Sequence, residues 1–99
     1  MNSPIEHDRA AGLFSTQVDG LQCEASYRLL DGASGPVMHL VHTGVPSALA
    51  GQGIAARLVA AALAEARSQG WRVRPVCSYV QVYIRRHPET RDLLEGSPA

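Results

Sequence analysis

Between Leu21 and Leu29 the chain alternates strictly. Leu21, Cys23, Ala25, Tyr27 and Leu29 fall on one side of an extended segment, and Gln22, Glu24, Ser26 and Arg28 fall on the other. That period of two predicts a strand, with Cys23 on its buried face as a small packing residue. Asp19-Gly20 is a two-residue hairpin signal and joins this strand to an earlier one over Ala11–Val18, whose apolar content is Leu13 and Phe14. The composition of Asp31–Pro36 predicts a turn. Val37–Val45 is then nearly continuous in strand formers, the pattern of a strand buried on both faces. Gly44 inside it marks a bulge or a close approach. His39 and His42, three apart in a regular strand, are expected on opposite faces and so unable to share a metal; no metal site is expected.

From about Gly53 to Gln69 the period becomes helical. Ile54, Leu58, Ala62 and Ala66 form a stripe that Ala55, Val59 and Leu63 widen, with Arg57, Glu65, Arg67, Ser68 and Gln69 over much of the remainder. Gly70 stands where a left-handed cap belongs. Trp71–Val76 reads as a short strand parallel to the one before the helix, giving a central strand–helix–strand unit. Pro75 cannot donate to a ladder, so this strand lies at an edge or its neighbour peels away there. Ser78 reads as the N-cap of a short helix over Tyr79–Arg86, stopped at His87-Pro88, with a last turn over Glu89–Leu94. Residues 1–10 and 95–99 read as loose tails.

Composition narrows this picture. The 99 residues suit one domain, and 45% apolar content supports a core. The nine basic side chains are all Arg and balance nine acidic ones, so no charge excess points to nucleic acid, and no lysine can form a Schiff base. No apolar run is long enough to span a membrane, and the N-terminus lacks a signal-peptide core. A cytoplasmic protein with Cys23 and Cys77 reduced is the expectation.

The candidate chemistry gathers at the strand-to-helix junction. Thr43-Gly44-Val45 ends a strand, Gly51-Gln52-Gly53 follows, and the helix starts at Ile54. A glycine loop running into a helix N-terminus presents unpaired N–H groups and partial positive charge to an anion. Arg57, early in that helix, opposes the dipole unless an anion is near. Cys77 precedes a helix start, where a thiolate is favoured.

These residues resemble the GNAT superfamily of N-acetyltransferases. Its acetyl-CoA signature (Arg or Gln, two variable residues, Gly, one variable residue, Gly or Ala) falls on Ala50 to Ala55. The small single-domain members are the more specific match, through His42-Thr43-Gly44-Val45-Pro46, Gly51-Gln52-Gly53, Pro75-Val76-Cys77 and Tyr83-Ile84-Arg85-Arg86-His87-Pro88. Two positions depart: Ala50 replaces the signature's Arg or Gln, and Gly44 replaces a Glu.

The resemblance implies an α/β fold with a mixed, mostly antiparallel sheet whose parallel strand pair splays into a V. It implies acetyl-CoA as cofactor, with pantetheine in the V and pyrophosphate on the N–H groups of Leu49, Ala50, Gly51, Gln52, Gly53, Ile54 and Ala55. Thr43 and Val45 would line the strand side, and Arg57, Arg85 and Arg86 would meet phosphate. Cys77, His42 and Tyr83 are the candidate catalytic groups, as acyl carrier or proton donor, base, and proton donor. Tyr79, one turn before Tyr83, is the other phenol that could serve. Packing explains Cys77 and either tyrosine as well, and a strand histidine explains His42. The expected activity is acetyl transfer to a small amine or a protein amino group, by a monomer or weak homodimer. The rival is a non-catalytic acyl-CoA-binding module or CoA sensor, which Gly44 and the small size favour. A structural interaction domain is a third reading, against which the glycine loop stands.

Overall fold

In the computed structural model, which describes residues 4–96, one five-stranded sheet carries two helices on a single face. The strands are β1 (Glu6–Asp8), β2 (Leu13–Val18), β3 (Leu21–Gly32), β4 (Gly35–Gly44) and β5 (Arg72–Pro75), in sheet order β1-β2-β3-β4-β5. The helices are α1 (Ile54–Gln69) and α2 (Ser78–Arg86), with 3-10 segments at Ser47–Leu49, before α1, and at Pro88–Leu93, after α2. β1 to β4 form an antiparallel meander; α1 then crosses over to β5, which runs parallel to β4. The mixed sheet is the one expected.

Local chemistry explains most boundaries. Asp19 and Gly20 have φ of 52° and 76°, the two left-handed residues of a tight hairpin whose twist matches the strands it joins. The apolar stripe of α1 is buried: Ile54, Leu58, Val59, Ala62, Leu63 and Ala66 pack on Phe14, Cys23, Ala25, Tyr27, Met38 and Leu40 of the sheet. Gly70 caps the helix at φ 75°, and its N–H donates to the Ala66 and Arg67 carbonyls. From α2, Val80 and Ile84 join the same core. Cys23 is buried and Cys77 half-buried, and both are free thiols.

Several expectations need correction. The polar lead-in is a strand over Glu6–Asp8. His7 stacks on Phe14 at 4.1 Å and shares a 2.5 Å hydrogen bond with the Tyr27 hydroxyl, which fixes the strand without apolar alternation. Residues 1–3 of that lead-in and 97–99 of the expected C-terminal tail lie outside the described residues. Glu95 is tied in: its N–H donates to the Val73 carbonyl and its carboxylate accepts from Arg74 Nε at 2.8 Å. The expected turn at Asp31–Pro36 is confined to residues 33 and 34, because Gly32 pairs with Gly35. Leu21 and Leu29 are 40% and 41% exposed, since they lie near the ends of the long β3 rather than over α1. The N-cap of α2 is Cys77, one residue before Ser78.

β4 differs most from its reading as a strand buried on both faces. Leu40 pairs with Tyr27 and His42 with Ser26, so Val41 is an extra residue without a counterpart on β3. The bulge is there, not at Gly44. It shifts the phase of everything after it. His39 opposite Arg28 and His42 opposite Ser26 therefore share the face away from the helices, where a regular strand would have separated them.

Candidate active site

The bulge at Val41 coincides with a parting of strands. β5 pairs with β4 from Val37↔Arg72 to Leu40↔Pro75 and then leaves. At the fork the Leu40 carbonyl accepts two bonds, from Val76 N–H at 3.0 Å and Cys77 N–H at 2.9 Å. Pro75 has no N–H to leave unpaired. Its carbonyl and that of Val76 accept from Gln81 Nε2 of α2, at 3.0 and 3.4 Å. β5 therefore departs without stranding its backbone groups. Beyond the unpaired Val41, His42 to Gly44 of β4 pair with β3 alone among the described residues, so the other edge borders an open gap.

At the gap's helix side stands the glycine loop. Gly51 and Gly53 have φ of 82° and 75°, in the left-handed region, and a Cβ at either would meet nothing within 4 Å. Gly53 is the N-cap of α1, with no side-chain capping bond and no acidic residue in the first turn. The first N–H groups of α1 are thus left without a side-chain partner or a competing carboxylate. Leu49 to Ala55, with Val45 and Tyr79, line a cleft of about 300 Å³. Leu49 and Ile54 are buried and anchor the loop at both ends.

Thr43 and Cys77 face each other across the gap, with Thr43 Oγ1 to Cys77 Sγ at 3.8 Å. Burial pushes the Cys77 thiol up, but the Val80 N–H, the Thr43 hydroxyl and the Tyr79 N–H outweigh it, so its pKa lies below the ordinary thiol value.

The remaining candidates are dispersed. His42 is exposed on the opposite face of β4 from Thr43. Tyr83 lines a separate cleft with Ala60, Leu63 and Leu93, stacks on His87 at 4.0 Å, and is held above the ordinary phenol value by burial and by the nearby Glu89 and Tyr79. Tyr79 is the tyrosine in the glycine-loop cleft. Arg57, Arg85 and Arg86 are exposed. Sequence reasoning missed Gln81, which secures the fork. No local signal marks it, because it reaches back to the Pro75 and Val76 carbonyls instead of capping α2, whose N-cap is Cys77.

A strand pair that forks beside a glycine loop and a helix N-terminus is an arrangement suited to an extended ligand that ends in an anion. The sequence profile of the GCN5-related N-acetyl-transferase family matches residues 13–93, and the chain belongs to that family. Protein NATD1 of Mus musculus is 32% identical over 84 residues, covering 85% of this chain and 76% of that protein. Its Homo sapiens counterpart is 31% identical over the same share of this chain and 74% of its own. The solution NMR structure of a GCN5-like protein from Staphylococcus aureus superposes with a TM-score of 0.73, over 98% of this chain and 92% of that one, at 24% identity. Membership of that family places this chain among the acetyltransferases. No described helix is long and apolar enough to cross a membrane.

Proposed function

We propose that this protein binds acetyl-CoA in the gap between β4 and β5 and transfers its acetyl group to an amine. The observation that carries the reading is the fork itself. β4 exposes a backbone edge over Val41–Gly44, and residues 45–53 lead from it into the N-terminus of α1, which no side chain caps. An extended, amide-bearing chain ending in phosphates matches that sequence of features. The N–H groups from Leu49 to Ala55 hold the pyrophosphate, so Ala50 removes a side-chain contact without removing the seat. Exposed Arg57 lies beside the first turn of α1 and reaches outer phosphate oxygens. Bound acetyl-CoA supplies an activated thioester.

Within the gap, Cys77 Sγ holds a proton at a lowered pKa and is the donor for a leaving sulfur, whose thiolate is the stronger base. Thr43 Oγ1 orients that thiol. Tyr79 closes the cleft beside the loop. Titration calorimetry with CoA, followed by thioester-consumption assays against primary amines and peptides, tests the reading. Binding together with amine-dependent thioester loss is expected. No heat at millimolar CoA overturns it, and binding without turnover by any amine leaves the sensor as the function.

A further inference from the structure

β3 outruns the strand beside it. β2 pairs with β3 from Val18↔Leu21 to Leu13↔Ser26, whereas β3 continues to Gly32 with only β4 beside it. The last contact on the β2 side is the Tyr27 N–H, which donates to the Gly12 carbonyl at 2.8 Å. Backbone groups alternate sides along a strand, so the N–H and C=O of Leu29 and Asp31 point the same way as those of Tyr27. Nothing among the described residues receives them. Leu29 and Leu30 are 41% and 40% exposed and stand on opposite faces of the sheet. Residues 28–32 are thus an open, extended edge of the kind that accepts an added strand.

This edge ends in a cationic stop. Residues 9–12 turn off the line of β2 and, with residues 27–30, line a cleft of about 370 Å³. Asp8 Oδ1 accepts from the Ala11 N–H at 3.1 Å and fixes that turn. Gly12 has a φ of 68°, and a Cβ on it would collide with the Tyr27 carbonyl oxygen, so the turn lies hard against β3. Two arginines flank the stop from opposite faces. Arg9 is on the helix side, its guanidinium carbon 5.4 Å from the centre of the Trp71 ring and its Nη2 3.2 Å from Glu65 Oε2. Arg28 stands opposite His39 on the other face. It has no hydrogen-bond or ion-pair partner for its side chain among the described residues.

We propose that this edge docks the C-terminal end of an extended peptide, which adds to β3 as an antiparallel strand and sets its free carboxylate between Arg9 and Arg28. The direction follows from the topology. A segment laid antiparallel to β3 on the vacated line runs the same way as β2, so its last residue meets the turn at residues 9–12. A segment laid parallel to β3 would bring an N-terminal ammonium to the two guanidinium groups instead. Leu29 and Asp31 supply the ladder bonds, Leu29 and Leu30 cover apolar side chains on the two faces, and Arg28 pairs with the carboxylate through a charge-assisted contact. β3 and β4 themselves lie between this edge and the fork, so the proposal does not depend on the acetyl-transfer reading.

The test is amide-resolved NMR of the full chain at neutral pH, titrated with the peptide acetyl-Ala-Val-Ala-Val-Leu as its free acid and, in parallel, as its C-terminal amide. The expected result with the acid is saturable shifts at Ala11, Gly12, Leu29 and Asp31. Hydrogen exchange at the Leu29 and Asp31 amides should slow on binding, while Arg28 and Leu30, already paired with β4, keep the protection they have. The amidated peptide should bind about tenfold or more weakly. Arg28→Gln should weaken the acid about fivefold or more and leave the amidated peptide unchanged. Its melting temperature should not move, because the Arg28 side chain has no partner to lose. Three results overturn the proposal: equal affinity for acid and amide, shifts without slowed exchange at Leu29 and Asp31, or unchanged affinity for the acid in Arg28→Gln. Protection of Leu29 and Asp31 in the free chain that disappears on dilution also overturns it, since the edge would then be held by a second copy.

Discussion

β4 is one strand with two unlike halves. Over Val37–Leu40 it is paired on both sides, and Val37, Met38 and Leu40 are 2%, 0% and 0% exposed. Over Val41–Gly44 it is half-buried to exposed, with Val41 unpaired and at 37% and His42–Gly44 paired on one side. The first half holds the sheet to α1. The second carries Thr43 toward Cys77 on one face and His42 and Gly44 toward Glu24 on the other. The boundary is a single residue, Leu40, whose carbonyl takes both N–H groups at the fork while the Val41 bulge re-phases the strand beyond. The open edge arises here by withdrawing a pairing partner from a strand that is otherwise built as core. The departing strand keeps its own polar groups satisfied through Pro75 and Gln81.

The sharpest way to break this comparison is to truncate one residue from each half. Leu40→Ala removes a fully buried side chain and should cost about 2–5 kcal/mol, read by urea unfolding. His42→Ala on the exposed half should change stability by about 0.5 kcal/mol or less. Similar losses would mean that the two halves are one structural unit. A smaller effect tests the fork. Gln81→Ala deletes the donor to the Pro75 and Val76 carbonyls and should cost about 1 kcal/mol. The amides of Val76 and Cys77 should exchange several-fold faster, while that of Val73 keeps its protection. Uniform acceleration across β5 would show that Gln81 supports the whole strand rather than the fork.

The two halves were also unequally legible in the sequence. The alternation of β3, the stripe of α1 and the Asp19-Gly20 hairpin are local periodicities and could be read directly. So could the glycine loop, and Pro75 correctly marked where the parallel strands part. The bulge could not be read. Val37–Val45 is apolar almost throughout, and a continuous run carries no phase in which an extra residue would show. The faces of His39 and His42 were lost with it. β1 was hidden for another reason: Glu6-His7-Asp8 has no apolar pattern, and its hold comes from Phe14 and Tyr27, 7 and 20 residues away. At the site, Cys77 and the loop announced themselves through neighbours in sequence. Gln81 did not, because its reach to the Pro75 and Val76 carbonyls depends on where β5 leaves β4. Tyr79 and Tyr83 had equal claims by spacing, and packing against His87 turned Tyr83 toward a different cleft.

The finest distinction is between the two faces of the exposed half, and the Cys77 thiol reports it. Its pKa is depressed in the folded chain, so the thiolate is favoured there relative to the unfolded chain. The linked stability is present above the ordinary thiol pKa and is lost as pH falls through the folded value. Alkylation of Cys77 should therefore rise with pH at a lower midpoint than the same thiol shows in the denatured chain. Thr43→Val keeps the β-branched shape and removes the hydroxyl 3.8 Å from the sulfur. The midpoint should move up, and alkylation at neutral pH should slow by about threefold to tenfold, the worth of one hydrogen bond of about 1 kcal/mol. His42→Ala should leave the midpoint where it is, because the imidazole lies on the far side of β4. If His42→Ala moved it as far as Thr43→Val, the two faces would act electrostatically as one site, and the division of labour across this half of β4 would fail.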